Sequence, residues 1–193
     1  LQSSTPLSSF KAVSIADVTF LVNTDVEVAM DASKSAFSRG ATSAKHEALI
    51  WIKTAGYGTE FKVYSGSDTA IASVTGTSTA SDPQPGSNDI ARLLVDEDDS
   101  LPTGTTASEF STGTWNATNK GSVVHVERDD AAAFEMTVED SLGDSAHSLI
   151  KSNADGIMVA TNFAELPGIA MKDMIVKIEG DPDKNVDDYY VKF

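Results

Sequence analysis

Short runs in which apolar and polar residues alternate dominate this chain, and such runs predict half-buried strands. Ala12–Asn23 (AVSIADVTFLVN) reads as two strands around the turn Ala16-Asp17, with Val18, Phe20 and Val22 alternating. Met174–Glu179 (MIVKIE) and Tyr189–Phe193 (YYVKF) read as two more, joined by the polar stretch Gly180–Asp188. These terminal ribbons look like two halves of one sheet. The pattern therefore predicts that residues 1–47 and 168–193 pair into a common body, with 48–167 an inserted α+β domain. A chain built this way looks like a piece of a longer polypeptide.

Between the ribbons, Thr24–His46 is a small-residue connection with weak alternation at Val26, Val28 and Met30. Ala48–Lys53, Thr59–Tyr64 and Thr69–Thr75 follow as three strands, separated by the turns Gly56–Gly58 and Gly66-Ser67, and read as a meander. Asp82-Pro83-Gln84-Pro85-Gly86 is a loop by its chemistry. Ile90, Leu93 and Leu94 then recur at helical spacing after the N-cap candidates Ser87 and Asn88, so Ser87–Val95 is the main helix. Asp96–Asp99 carries the wrong sign for the end of a helix, which predicts fraying there. A second β unit spans Thr114–Ala117, Ser122–Arg128 and Phe134–Val138, and Ser145–Ile150 is a second short helix candidate. Phe163-Ala164-Glu165-Leu166-Pro167 reads as a loop anchor. The fold class is α+β and β-rich: mostly antiparallel sheets, one or two short helices, and terminal strands that pair as part of a propeller-like blade.

Composition narrows the picture. In 193 residues, 40% hydrophobic content suffices for a packed core. There is no cysteine, so neither a disulfide framework nor thiol chemistry is available. No stretch approaches the ~20 apolar residues of a membrane helix. LQSSTPLSSF has neither the basic nor the apolar region of a signal peptide. The net charge of −15, from 29 acidic and 14 basic residues, repels phosphates and anionic lipids. That argues against a dedicated DNA binder, yet suits a wall past which DNA moves without sticking.

Candidate chemistry is sparse. Asp181, Asp183, Asn185 and Asp187 place oxygen side chains at alternate positions, like the opening of a calcium loop. Val186 stands where that loop needs Gly and Lys192 where it needs a bidentate Glu, so a polar hairpin connection is the plainer reading. Acidic runs (Asp96–Asp99; Glu127, Asp129, Asp130; Glu139, Asp140, Asp144) always offer some pair at glycosidase spacing, so the signal has almost no specificity and solvated surface is the better reading. His46, His125 and His147 lack metal-ligand spacing, and His125, flanked by Val124 and Val126, reads as a packed or edge histidine. Gly56-Tyr57-Gly58 lacks the third Gly and the following helix of a dinucleotide fingerprint. Trp51, Trp115, Tyr57 and Tyr64 could line a sugar groove, but aromatics at strand spacing fill cores. No catalytic residue, cofactor or metal is assigned.

Five segments, in order, carry a family likeness: Ala12–Asn23, Ile50–Val63 (IWIKTAGYGTEFKV), Thr114–Glu127 (TWNATNKGSVVHVE), Asn162–Pro167 (NFAELP) and Met174–Phe193 (MIVKIEGDPDKNVDDYYVKF). Together they resemble an N-terminal fragment of the tail tubular protein B family, the nozzle proteins of short-tailed podoviruses. The resemblance implies a non-enzymatic virion protein of the phage tail. It implies a ring of identical copies below the portal and adaptor, a channel for DNA ejection, and docking of tail fibres. It further implies that DNA passes without specific binding and that no membrane is a partner. The competing reading is a carbohydrate-binding or polysaccharide-degrading tail module; a third is an adhesion module that binds calcium.

Overall fold

The computed structural model describes residues 9–15, 18–24, 46–96, 102–111, 114–128, 135–180 and 188–193. The chain divides into two compact units, Leu1–Lys34 and Ser35–Phe193. In the first unit β1 (Phe10–Ile15) and β2 (Val18–Asn23) form an antiparallel two-stranded sheet in the register expected for a tight hairpin, Phe10 opposite Asn23 and Ile15 opposite Val18. Thr24 closes it, donating from both its backbone N–H and its hydroxyl to the Ser9 carbonyl.

Among its described residues the second unit contains two sheets. Its strands are β3 (Glu47–Ile52), β4 (Glu60–Tyr64), β5 (Ala70–Thr75), β6 (Thr106–Ser108), β7 (Trp115–Lys120), β8 (Val123–Arg128), β9 (Thr137–Asp140), β10 (His147–Ser152), β11 (Met158–Ala160), β12 (Ile175–Ile178) and β13 (Tyr189–Lys192). A seven-stranded sheet has the order β13-β12-β11-β10-β3-β8-β7, and a four-stranded sheet the order β6-β5-β4-β9. All ladders are antiparallel except β11 with β12. A parallel pair needs a crossover, and residues 161–174 supply it. The α+β, β-rich expectation thus holds, with one α-helix, α1 (Ser87–Leu93), among the described residues.

One hydrophobic cluster joins the two sheets. Phe61, Val63, Ala72, Val74 and Val138 line the inner face of the four-stranded sheet. They meet Ala48, Ile50, Ile52, Val124 and Val126 on one face of the large sheet. Ile90, Ala91 and Leu93 of α1, with Leu94, complete this core. The opposite face of the large sheet carries Leu49, Val123, Ile150, Met158, Val176 and Ile178, and the crossover covers it with Leu166, Ala170 and Met174. The large sheet is therefore buried on both faces at its centre. This explains why Ala48–Ile52 is nearly continuous in hydrophobicity while β4 alternates.

Several sequence expectations are corrected. Ala48–Lys53 does not begin a meander: β3 lies between β10 and β8, while β4 pairs with β5 and β9. The second β unit is likewise split, since β9 leaves β8 for β4. The physical reason is burial: a strand apolar on both faces needs a central position, and local hairpins cannot provide one. Ser145–Ile150 is not a helix; its residues enter β10, where Ser148 and Ile150 face the crossover core. The main helix is capped by Gly86, whose N–H donates to Asp89 Oδ2 at 2.8 Å, rather than by Ser87 or Asn88. Asp96 still donates to the Arg92 carbonyl, and the remaining acids 97–99 lie outside the described residues.

The closing ribbon forms as expected, Ile175 opposite Lys192 and Ile178 opposite Tyr189. Its sheet, however, continues across the boundary drawn at residue 168, because β12 is bonded to β11. Within the described residues the two terminal ribbons belong to different sheets, and neither sheet is closed on itself.

Candidate functional site

The register of β3 and β8 assembles the most concentrated chemistry of the chain. Glu47 stands directly opposite Glu127, and Leu49 opposite His125. Side chains two apart on a strand share a face, so Glu47, His125 and Glu127 all project from the crossover side of the large sheet. His125 Nε2 lies 2.7 Å from Glu47 Oε2 and 3.7 Å from Glu127 Oε1. Glu47 and His125 are fully buried, while the Glu127 side chain keeps 14% of its exposure. The Glu47 backbone N–H donates to Ser152 Oγ on β10. Three groups capable of binding a metal thus converge, with ligand atoms within 4.8 Å of one another.

A second group sits where the two sheets meet, in the turn from β9 to β10. Asp140 Oδ1 accepts from the backbone N–H groups of Leu142 and Asp144, and Oδ2 from Ala146 N–H and His147 Nδ1. Asp144 returns the favour by accepting from Asp140 N–H, at a positive φ of 59°. Burial pushes the Asp140 carboxyl up, but the His147 hydrogen bond and the Leu142 and Ala146 N–H groups outweigh it and hold its pKa below the ordinary value. Both oxygens of Asp140 are occupied by the protein, so this group reads as a turn clamp.

The calcium-loop candidates Asp181, Asp183, Asn185 and Asp187 lie outside the described residues. The carboxylates flanking that stretch serve another purpose. Lys177 Nζ bonds Asp188 Oδ2 and Glu179 Oε1, each at 2.8 Å. The Asp188 bond, then the Glu179 bond, raise the Lys177 pKa against its partial burial. This ammonium ties the two arms of the closing ribbon together.

The two tryptophans do not form a platform. Trp115 belongs to the core between the sheets, tilted against Phe110 at 6.2 Å and covered by the Arg128 guanidinium. Trp51 packs on the crossover cluster, with Lys53 Nζ 5.6 Å above its ring. The two indoles therefore stand on opposite faces of one sheet and cannot line a common sugar groove. Leu166 of the Phe163–Pro167 motif is buried in the crossover cluster, whereas Phe163 is 62% exposed.

Sequence reasoning missed the meeting of His125 with Glu47. The available signal was the His-x-Glu spacing of His125 and Glu127 on one strand face; the partner strand could be found only from topology. Among the described residues no helix is long and apolar enough to cross a membrane.

A β-rich scaffold whose charged clusters mostly staple its own turns and ribbons is what these observations define, and structural proteins are built this way. The family model for the bacteriophage nozzle protein matches residues 1–193, and the chain belongs to that family. No curated protein matches it. The chain is accordingly a structural component of the phage tail, located in the virion.

Proposed function

We propose that copies of this protein form a ring that continues the tail channel through which DNA is ejected, with adaptor and fibre proteins as neighbours. The observation that carries this reading is the net charge of −15 on a chain whose family is the phage nozzle. Phosphates moving past such a surface meet like charge, so the genome slides without finding a binding site. A heterologous contact between identical copies closes into a ring when its rotation divides the circle. In this arrangement residues 1–47 and 168–193 belong to one propeller-like body of the assembly, and residues 48–167 are carried out from it. The edge position of β13 in its sheet leaves hydrogen-bonding groups for such a body to use.

Electron cryomicroscopy of the tail tests the proposal. Identical copies around an axial channel, with acidic side chains toward the axis, are expected. A single copy, or copies displaced from the channel wall, would overturn it.

A further inference from the structure

We propose that Glu47, His125 and Glu127 form a site for a single divalent transition-metal ion, with zinc the best match to its donors. The argument starts from strand register. Two carboxylates placed directly opposite one another on one sheet face repel, yet β3 and β8 hold Glu47 and Glu127 in that relation. His125 Nε2 addresses both of them from the same atom, at 2.7 and 3.7 Å. An ion with two positive charges bonds both carboxylates and the imidazole together, and turns the opposed pair into a ligand pair.

The dimensions fit. Donors sharing a tetrahedral zinc at its usual bond lengths lie about 3.4 Å apart. The three donor atoms here are already within 4.8 Å of one another, so binding asks for adjustments of side-chain torsions alone. Their backbones are neighbouring strands inside a seven-stranded sheet, which fixes the spacing in advance. Leu49 and Val123 of the crossover cluster flank the group on the same face, keeping bulk water away from two of the donors. The partly exposed Glu127, opposite the exposed Asn116 of edge strand β7, provides the way in. Imidazole plus carboxylate is a donor set suited to zinc, and cobalt(II) substitutes for it with visible absorption. Binding exchanges the proton of the His125–Glu47 hydrogen bond for the metal and releases it to solvent.

The test uses the whole chain, stripped with a chelator and dialysed. Titration with zinc(II) alone is followed by calorimetry, and titration with cobalt(II) alone by visible absorption. One ion per chain is expected, with cobalt bands of a low-coordinate nitrogen–oxygen site. Glu127→Gln should weaken affinity beyond the roughly tenfold effect of losing an outer-shell partner, while circular dichroism shows the strands intact. Asp144→Asn, at the other histidine–carboxylate group, should leave binding unchanged. No saturable binding at micromolar metal overturns the proposal. Binding that survives Glu127→Gln undiminished, or that disappears with Asp144→Asn, also overturns it.

Discussion

The two faces of the seven-stranded sheet are stabilised by different means. On one face a second sheet and α1 seal an apolar layer that includes Phe61, Ile50, Val124 and Leu93, all fully buried. On the other, the irregular crossover 161–174 covers an apolar patch, and the buried Glu47–His125 pair lies on the same face. A sheet-on-sheet layer gains mainly from close packing. The crossover face combines packing with a buried polar group that is costly to leave half-satisfied. The first face should therefore respond to volume, the second to charge.

The largest effect should come from Phe61→Ala, which empties the centre of the layer between the sheets. A loss of about 3–5 kcal/mol is expected, read from urea denaturation; a loss under ~1 kcal/mol would mean that the two sheets do not share one core. Next, Glu47→Ala leaves the buried His125 without its 2.7 Å partner, and should cost about 3 kcal/mol. Substituting both members of the pair by apolar residues should recover part of that loss, which a double-mutant cycle measures.

A smaller effect is expected where the two sheets are tied by a turn. Asp140→Ala removes the acceptor of four hydrogen bonds, and should cost about 2 kcal/mol. Its pH dependence has a definite sign. The folded carboxyl titrates below its ordinary value of 3.8, so its contribution is complete above that value. It is lost only as the pH falls through the lower folded value. Acid denaturation of Asp140→Asn should accordingly lack that part of the slope below about pH 4. The smallest effect belongs to Phe163→Ser. With most of its surface in water, its loss should stay within about 0.5 kcal/mol, whereas Leu166→Ala, one turn along the same crossover, should cost several times more. Equal losses would show that Phe163 is an anchor after all.

Elements were legible where their signal is local. The alternation in Glu60–Tyr64, the apolar run of Ala48–Ile52, the spacing of Ile90 and Leu93, and the closing ribbon all report the environment of nearby residues. Thr106–Ser108 and Met158–Ala160 escaped notice because three residues are too few to show a period. Ser145–Ile150 carries a helical signal, since Ala146, Leu149 and Ile150 mimic a helical spacing, yet in the strand His147–Ser152 and its approach they face two sides of the sheet.

Sequence alone determined the strand-rich class, the acidic surface, the lack of thiol chemistry and, through five ordered segments, the family. Tertiary structure decided which strand lies beside which. Pairing between distant strands depends on where two apolar faces can be covered at once, a property of the whole chain and not of any window within it. That choice made β3 central, parted the presumed meanders, and brought Glu47 against a histidine 78 residues away.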